Sequence, residues 1–575
     1  MYIIKISNKK KDFCFPELEN EKIIYFENFI ININYDDFLN NYKESTTEVS
    51  FVETPTGKSS LRAQDNSELD FVKMLLNKVT GNLEIEKKIL SGRKVYYHYS
   101  ENQIIFSSHI NLLRKAGVEL IENSEILPEF FVHRFVTAPN TFYKNIYQLK
   151  PSETIVIKFS NRTLDLVKDV DYSPFKKSSN KELVYSHGDN YQEKIKKLLE
   201  KSLTNLSPVK DRVTSMLSGG LDSSILYKIL YHKFNISTSF STCYPFDNKK
   251  IGEAQYAKTA ADYFKADHQH KDFSNNDYVR GVIESIYLAE EPLFHLQTVM
   301  FNLLFKNMPN NKIVISGQGA DGFFGSPSHN RLYNSNKLKY RLLSFSPLPK
   351  IIWKFGNYNL SKELNIAKRY RNTRYLPLKD KNHFIWSIGN QGDKKWVAKY
   401  FKVSEEEINS NRLQLVESLS DKSMYEIMTS LDFIGDKSAT EGIWSKIAEA
   451  HKNIIYYPFN NEELIKYNMS LPWNLKLKTM KGLLHYVARQ NDVPDFIINR
   501  KKKGFFVSPT DWLSHGIMNS LIPLAGKVID IEVLKELQET SKGFLFWNFL
   551  NYAIWKRLFI NNESVDSLIN ELDLK

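Results

Sequence analysis

The sequence predicts a layered α+β domain followed by an α/β domain, which has a doubly wound parallel sheet and a helical C-terminal part. Three patterns predict this. Short β-rich runs separated by turns fill residues 1–180. Apolar strand-like runs then alternate with helical segments between residues 191 and 315, as in a parallel sheet covered by helices. Helical periodicity dominates after residue 430. Because 575 residues exceed the size of one core, we place domains at 1–180 and 186–575.

Local patterns justify each element in turn. The β-rich runs predict strands at Tyr2–Ile6, Lys22–Phe26, Lys94–Tyr99, Gln103–Phe106 and Thr154–Phe159. Helical spacing predicts helices at Leu69–Lys78 and Ile110–Lys115. A polar run over residues 175–195 predicts the linker. The second domain is predicted to begin with a helix at Tyr191–Leu203, a strand at Ile236–Tyr244 and a helix at Glu253–Phe264.

Composition and charge narrow the class of protein. Hydrophobic residues make up 42% of the chain and charged residues 25%, as in ordinary globular proteins. The net charge of +12 suits acidic partners such as nucleotides, but the lysines are scattered and we expect no nucleic-acid partner. Only Cys14 and Cys243 occur, so we expect neither a disulfide framework nor a cysteine-based metal site, which fits a cytoplasmic location.

Neither the N-terminal residues nor the longest apolar stretch reads as a membrane signal. Residues 1–10 lack the charged and apolar regions of a signal peptide. Phe544–Ile560 is short and contains polar residues, so we expect a buried C-terminal helix and no membrane insertion. The polar residues that interrupt this stretch are Asn548, Asn551, Lys556 and Arg557.

The most informative stretch is Val213–Ile225, which reads as a strand, a turn through two glycines and the start of a helix. Its backbone N–H groups and the helix dipole would face one point, which makes a phosphate cradle. Gly219 and Gly220 permit a positive φ and a close approach. Asp222 would repel phosphate unless a cation lay between them, so it implies Mg²⁺. Hydroxyl donors and a helix cap are expected from Ser218, Ser223 and Ser224.

A second loop of the same kind follows the strand predicted at Lys312–Ile315. It reads Ser316-Gly-Gln-Gly-Ala-Asp-Gly-Phe-Phe-Gly325. Parallel strands bring such loops to the same edge of a sheet, where ligands bind. Asp321 is therefore expected to face the same metal ion as Asp222.

The two loops resemble those of the asparagine synthetase family. Ser218-Gly-Gly-Leu-Asp-Ser-Ser224 is similar to its pyrophosphate-binding loop, and the second loop is similar to its Ser-Gly-Glu-Gly-Ala/Ser-Asp-Glu signature. The resemblance implies a glutaminase-like, Ntn-type sandwich followed by a PP-loop ATP pyrophosphatase domain. It also implies ATP and Mg²⁺ as cofactors. The implied activity is that of a carbon–nitrogen ligase, which adenylates a carboxylate and releases pyrophosphate.

The resemblance also gives roles to single positions. Lys481, within Lys476–His485, matches the lysine that contacts pyrophosphate, where a cation stabilises the leaving group. The basic run Asn499–Phe505 is similar to a segment that we interpret as a flap near the phosphates. The positions implied to bind ATP or pyrophosphate are Leu217, Ser218, Gly219, Gly220, Asp222, Ser223, Ser224, Thr242, Ser316, Gly317 and Lys503.

The N-terminal domain both resembles the family and departs from it. Three runs, at residues 91–97, 104–109 and 141–151, are similar to the later part of the family's glutaminase-like domain. The family's glutaminases use an N-terminal cysteine as nucleophile. This chain has Tyr2 at that place, and Cys14 lies inside the chain. We therefore expect a domain that is inactive in glutamine hydrolysis and supports the second domain.

The second loop also departs from the family pattern. Gln318 and Gly322 stand where the signature has glutamates, and a neutral amide cannot accept a proton from an attacking amine. In this respect the chain is similar to the family's β-lactam synthetases and lasso-peptide cyclases. The base could be Asp436, Glu441 or Glu449 in the helical region 431–451, and the sequence does not choose among them. The predicted catalytic positions are Lys481, Gln318 and Glu441.

Three further segments have more than one interpretation. The histidines in residues 266–270 could bind a metal, although an ordinary structural role is favoured. Residues 289–293 resemble the family's acidic-Pro segment, which opens a helix beside the acceptor pocket. Residues 330–410 are basic and aromatic, so they could bind RNA or grip a peptide, but a solvated helical insertion is favoured.

The expected reaction is adenylation of a carboxylate, followed by attack of an amine on the acyl-adenylate. Without a glutaminase, the amine is expected on the substrate itself, as in a lasso-peptide-type macrolactam cyclase. A precursor peptide and its processing protease would then be the partners. The alternatives are ammonia- or glutamine-dependent asparagine synthesis and, in another class, a catalytically silent scaffold. The oligomeric state stays open.

Overall fold

The computed structural model describes most of the chain. Structure is given for residues 1–7, 18–26, 29–37, 40–55, 71–100, 103–160, 163–170, 184–186, 188, 190–245, 253–326, 329–330, 393–419, 424–477, 479, 481–500, 516–540 and 543–572. The predicted domain boundary near residue 180 and most of the insertion at 330–410 lie outside these ranges, so both stay predictions.

The N-terminal part is a sandwich of two antiparallel sheets. Its described strands are β1 (Tyr2–Ser7), β2 (Asn20–Phe26), β3 (Phe29–Tyr35), β4 (Asn40–Glu44), β5 (Glu48–Glu53), β6 (Val72–Asn77), β7 (Asn82–Lys87), β8 (Tyr96–Ser100), β9 (Gln103–Ser107), β10 (Tyr147–Gln148), β11 (Glu153–Ser160) and β12 (Thr163–Val170). They form two six-stranded sheets in the orders β10-β8-β9-β1-β3-β2 and β12-β11-β7-β6-β5-β4. Ile4 and Ile31 of the first sheet share an apolar core with Met74 and Ile85 of the second. A sheet-rich N-terminal domain is thus confirmed.

The predicted helix at Leu69–Lys78 is wrong. The chain there forms β6, in which Val72, Met74 and Leu76 are buried and alternate with half-buried neighbours. A period of two residues places these apolar side chains on one face of a strand, where they meet the opposite sheet. The predicted helix at Ile110–Lys115 is confirmed as α1, and α2 (Leu127–His133) follows it.

A parallel sheet organises the second part of the chain. Its strands are β13 (Val213–Met216), β14 (Thr238–Thr242), β15 (Asp267–Lys271), β16 (Ile313–Ile315) and β17 (Ile454–Tyr456), in the order β15-β14-β13-β16-β17. The helices between them are α3 (Tyr191–Thr204), α4 (Leu221–Phe234), α5 (Glu253–Phe264), α6 (Asn275–Ala289), α7 (Gln297–Lys306) and α8 (Ala320–Phe324). Ile313 and Ile315 pack with α3 and α4, whereas Val314 packs with α6 and α7. Helices therefore cover both faces, as predicted.

The rest of the described chain is helical. The helices are α9 (Lys394–Phe401), α10 (Glu405–Glu417), α11 (Met424–Leu431), α12 (Ser438–Ala450), α13 (Glu462–Ser470), α14 (Trp473–Leu477), α15 (Gly482–Gln490), α16 (Asp495–Ile498), α17 (Ile522–Ala525), α18 (Ile531–Glu539), α19 (Gly543–Phe559) and α20 (Val565–Asn570). A π-helical turn at Asp432–Lys437 joins α11 to α12. None of the described helices meets the length and apolarity needed to cross a bilayer.

Helix α19 shows why its asparagines interrupt an apolar stretch. Asn548 Nδ2 donates to the carbonyl of Phe131, 3.0 Å away in the N-terminal part. Asn551 exchanges two hydrogen bonds with the backbone of Leu293. Both asparagines are fully buried, and each therefore satisfies backbone groups that the apolar helix could not. The helix joins the two parts of the molecule in one core.

Candidate active site

The first loop depends on a glycine in the left-handed region. Strand β13 leads through Leu217, which is buried, into the turn and helix α4. Gly219 has a φ of +70°. A side chain at this position would also overlap the backbone carbonyl of Tyr256 on α5. Only glycine therefore allows the loop to pack this closely against the neighbouring helix.

Ser218 and Ser223 form hydrogen bonds within the loop, and no serine caps helix α4. The N-cap residue is Gly220, which makes no side-chain cap, so the predicted serine cap is wrong. Ser223 Oγ accepts from the Ser218 N–H at 3.2 Å and donates to the Gly220 carbonyl at 3.2 Å. Ser224 is buried, and its hydroxyl has no hydrogen-bond partner within the described part of the chain. The first backbone N–H groups of α4 remain directed at the turn, as a phosphate cradle requires.

The second loop lies directly against the first. Strands β13 and β16 are neighbours in the sheet, so their loops leave from the same edge. A Cβ on Gly317 would lie 3.2 Å from both Asp222 Cβ and the Ser223 backbone nitrogen. Ser316 is buried, and its hydroxyl accepts from the Gln318 N–H at 3.3 Å. The structure thus brings the two predicted loops together.

Lys481 lies between the two aspartates. Its Nζ is 2.5 Å from Asp222 Oδ2 and 2.6 Å from Asp321 Oδ1. Burial alone would lower the pKa of Lys481, but the two carboxylates raise it above its ordinary value. The residue precedes helix α15 with a φ of +56°, and its N–H donates to the Phe324 carbonyl at 3.2 Å. Three side chains from distant parts of the sequence therefore form one charged cluster.

The carboxylates of the two aspartates are of the ligand type that suits a magnesium ion. Asp222 Oδ1 is buried and accepts no hydrogen bond from the described residues. Carboxylate oxygens are the ligands that Mg²⁺ prefers, and here an ammonium group already lies between two of them. Asp222 and Asp321 would hold the ion, which when bound would neutralise negative charge on the phosphates.

Arg500 is a loop contact that we did not single out from the sequence. Its Nη1 donates to the Gly219 carbonyl at 3.1 Å, and its Nη2 lies 3.1 Å from Glu253 Oε1. The guanidinium also stacks on Tyr256, 3.4 Å from the ring centroid. The signal was its place in the basic run 499–505. Residues 501–505 of that run, including Lys503, lie outside the described residues.

A second acidic cluster borders the second loop. The π-helical turn carries Asp432 and Asp436, both half-buried. Burial and the nearby charge of Asp436 raise the pKa of Asp432 to about 7. Burial raises the pKa of Asp436 to about 6, although Arg134 and Arg412 oppose the shift. Such turns are frequent at functional sites.

Because position 322 is a glycine, Asp432 can lie against the second loop. A side chain at position 322 would overlap the Phe433 ring, and its Cβ would lie 3.1 Å from Asp432 Oδ2. The space beside the loop that a side chain at 322 would need is therefore filled by the π-helical turn. Asp432 is not among the positions predicted from the sequence, because its approach to the loop depends on this packing.

Gly322→Ala should destabilise the protein, because its methyl group would overlap Phe433. We expect the free energy of unfolding to fall by about 1–3 kcal/mol, as measured by denaturant titration. Gly526→Ala is the matched control, since a Cβ there meets no atom closer than 3.4 Å. Equal stability of the two variants would show that the turn does not pack against position 322.

The structure gives two of the predicted bases other partners. Glu441 is fully buried, 3.2 Å from Lys437 Nζ, and accepts from Asn460 Nδ2 at 2.8 Å. Glu449 pairs with the Met1 amine at 2.8 Å and with Arg93 at 3.5 Å. Both carboxylates therefore already have charged or hydrogen-bonding partners, and the catalytic role of Glu441 stays a prediction. Its side chain holds Lys437, which lies beneath Gly319 in the second loop.

The remaining predicted positions are dispersed around the sheet edge. Thr242 ends β14, and its hydroxyl donates to the Lys271 carbonyl at 2.9 Å. Gln318 is half-buried in the second loop.

The segment 289–293 does not open a helix, because α7 begins only at Gln297. Its Glu290 instead accepts the Ile110 and Asn111 N–H groups, each at 2.8 Å. The segment therefore joins the two parts of the molecule.

The chain is similar to known proteins over more than half of its length. The asparagine synthase family model matches residues 194–548. A putative glutamine-hydrolyzing asparagine synthetase of Methanocaldococcus jannaschii is 24% identical over 64% of this chain and 73% of its own length. A glutamine-hydrolyzing asparagine synthetase of Bacillus subtilis is 22% identical over 74% of this chain and 65% of its own. A putative one of Mycobacterium bovis is 22% identical over 80% and 71%.

The matched range contains both loops, the aspartates and Lys481. Members of this family are ATP-dependent ligases that form carbon–nitrogen bonds. The chain belongs to the asparagine synthase family.

Proposed function

We propose that the protein adenylates a carboxylate and closes an amide bond with an amine of the same substrate, without hydrolysing glutamine. The carboxylate oxygen attacks the α-phosphorus of ATP, the bond to the β-phosphate breaks and pyrophosphate leaves. The amine then attacks the acyl-adenylate carbonyl, AMP leaves and a base takes the amine proton. The placement of Lys481 between Asp222 and Asp321 carries this proposal.

Lys481 supplies positive charge where pyrophosphate leaves. Its ammonium is held within the loops by two carboxylates and stays charged because they raise its pKa. A fixed cation stabilises negative charge that develops on the leaving group. Arg500 fixes the same loop through the Gly219 carbonyl. The presence of Asp222, Asp321 and Lys481 in one cluster argues against a catalytically silent scaffold.

Asp432 is the base that the geometry favours. It lies beside the second loop, and the negative charge of Asp321 contributes to its raised pKa. A carboxyl group with a pKa near 7 can accept a proton from an ammonium more effectively than an ordinary aspartate. Gln318 has a neutral amide where the family signature has a carboxylate. It can orient a substrate by hydrogen bonds but cannot take the proton.

The rate of amide formation should rise with pH through about 7, because only the ionised form of Asp432 accepts a proton. Asp432→Asn should abolish this rise of the rate with pH and lower kcat by about 10²-fold. The measurement is a pH profile of AMP formation under saturating ATP. Asp495→Asn, on the surface helix 495–498, is the control. If the rate of the Asp432→Asn variant still rose with pH through about 7, another group would be the one that accepts the amine proton.

Two observations support an amine on the substrate itself. Tyr2 is buried in strand β1 and packs edge-on against Phe51, 5.2 Å between ring centroids. A buried phenol in a sandwich core cannot form the thioester that glutamine hydrolysis requires. The second loop has Gln318 and Gly322 in place of carboxylates. A lasso-peptide-type cyclase, with a precursor peptide and its processing protease as partners, combines these features.

Asparagine synthesis is the second candidate, since the similar relatives bear that name. The test gives the protein ATP, Mg²⁺ and aspartate with either ammonia or glutamine, and measures asparagine, glutamate and AMP. We expect no glutamate from glutamine and no asparagine above the Asp222→Asn background. A peptide with a free amino terminus and a side-chain carboxylate should instead lose one water as AMP forms. Asparagine formation at a steady rate would overturn the intramolecular reaction.

A further inference from the structure

Three potential metal ligands converge where two strands of the parallel sheet end. Strands β14 and β15 pair side by side, with Thr242 opposite Lys271. Cys243 follows the first strand, Asp272 follows the second, and His270 lies near the end of the second. Because parallel strands end at one edge, these three side chains meet there. They lie at the same edge as the ATP loops, on strands that those loops do not use.

The spacing of the ligand atoms is that of a tetrahedral zinc site. Cys243 Sγ lies 3.7 Å from His270 Nε2 and 3.9 Å from Asp272 Oδ1, and the last two atoms are 3.1 Å apart. Bonds of about 2.3 Å to sulfur and about 2.0–2.1 Å to nitrogen and oxygen, at the tetrahedral angle, require separations of about 3.4–3.6 Å. The three observed separations differ from these by a few tenths of an ångström.

The Nδ1 atom of His270, which would not contact the metal, already has a hydrogen-bond partner. Its Nδ1 lies 2.8 Å from Ser241 Oγ, which in turn lies 2.8 Å from His268 Nε2. His268 Nδ1 lies 2.9 Å from Ser239 Oγ. If His270 Nδ1–H donates to Ser241, the hydroxyl donates onward to His268, and Nε2 of His270 presents its lone pair to a metal. Zinc-binding histidines use outer-shell hydrogen bonds of this kind.

The same geometry argues against a cysteine nucleophile. In a Cys–His–Asp arrangement the aspartate orients the imidazole from the nitrogen opposite the thiol. Here Cys243 and Asp272 both contact Nε2 of His270. Two acidic groups that share one nitrogen are arranged to surround a cation.

We propose that Cys243, His270 and Asp272 bind a zinc-class divalent ion. The thiolate and the carboxylate balance its charge, and sulfur selects zinc over the magnesium that accompanies ATP. Cys243 is 9% exposed, whereas Asp272 is 82% exposed, so a fourth position faces solvent and takes water. The sequence predicts no cysteine-based metal site and favours a structural role over metal binding for the histidines of 266–270, so the proposal departs from both expectations. The mixed ligand set appears only when β14 and β15 are paired.

Cobalt substitution tests the site directly. Reduced full-length protein is titrated with Co²⁺ and its absorption spectrum recorded, because a thiolate ligand gives a sulfur-to-metal charge-transfer band and tetrahedral coordination gives intense visible bands. We expect one equivalent to bind with both signals, and Zn²⁺ to displace it. Cys243→Ser should lose the charge-transfer band, and Asp272→Asn should weaken affinity by at least about tenfold.

Two matched variants make the outcome decisive. Cys14→Ser should keep the charge-transfer band, and Asp267→Asn, exposed on the same strand, should keep the affinity. Circular dichroism of each metal-free variant checks that it folds. Absence of the charge-transfer band in the parent protein, or its persistence in Cys243→Ser, would overturn the proposal. Tight binding that is unaffected by Asp272→Asn and His270→Gln would overturn it as well.

Discussion

Replacing Lys481 by methionine should lower the rate of ATP-dependent amide formation by about 10²–10³-fold. Methionine has a similar length but no charge, so the leaving pyrophosphate would lose its fixed cation. Asp222 and Asp321 would also face each other without the ammonium that now lies 2.5 and 2.6 Å from them. The measurement is kcat for pyrophosphate release, together with the affinity for ATP and Mg²⁺.

The balance between these two quantities identifies the role of Lys481. A group that acts mainly on the leaving group should change kcat more than ground-state ATP binding. Lys466→Met is the matched control, because that lysine pairs only with Glu462 on the exposed side of its helix, among the described residues. If Lys481→Met retained the parent kcat, the cation would have no part in pyrophosphate departure.

Asp222→Asn should reduce pyrophosphate release by about 10²-fold or more, because a bound Mg²⁺ would lose one of its charged ligands. Asp222 is the better placed of the two aspartates, since its side chain is 22% exposed while that of Asp321 is 43% exposed. Asp321→Asn should therefore have the smaller effect. The measurement is pyrophosphate release as a function of Mg²⁺ concentration. The variants should need more Mg²⁺ than the parent protein to reach a given rate.

The control for the aspartate variants is Asp262→Asn. That residue pairs with Lys258 on the exposed face of α5, 2.9 Å away, so its loss should leave the rate and the Mg²⁺ dependence unchanged. Activity of Asp222→Asn at the parent's Mg²⁺ concentration would show that the ion is held elsewhere.

The local parts of the site could be predicted from the sequence. A strand, a glycine turn and a helix start occupy consecutive residues, so Val213–Ile225 and Ser316–Gly325 could each be recognised alone. The rule that parallel strands share an edge then brought Asp222 and Asp321 together. Lys481 came from the resemblance to a family, because nothing in its own neighbourhood indicates contact with either loop.

The parts that escaped prediction depend on tertiary contacts. Asp432 matters because Gly322 leaves room for the π-helical turn, and that packing has no signature in either segment. Glu441 is predicted from the sequence to be catalytic, and its burial beside Lys437 and Asn460 is seen only in the structure. The strand at Val72–Asn77 was mistaken for a helix because a short apolar run fits both periods.

Diffraction from the protein with a non-hydrolysable ATP analogue and Mn²⁺ in place of Mg²⁺ tests the site most directly, because manganese is located by its anomalous signal. We predict one Mn²⁺ ligated by both Asp222 and Asp321, with Lys481 Nζ moved from the carboxylates onto a phosphate oxygen. A manganese ion that contacts neither aspartate, or a nucleotide bound away from the two loops, would contradict the site proposed for this protein.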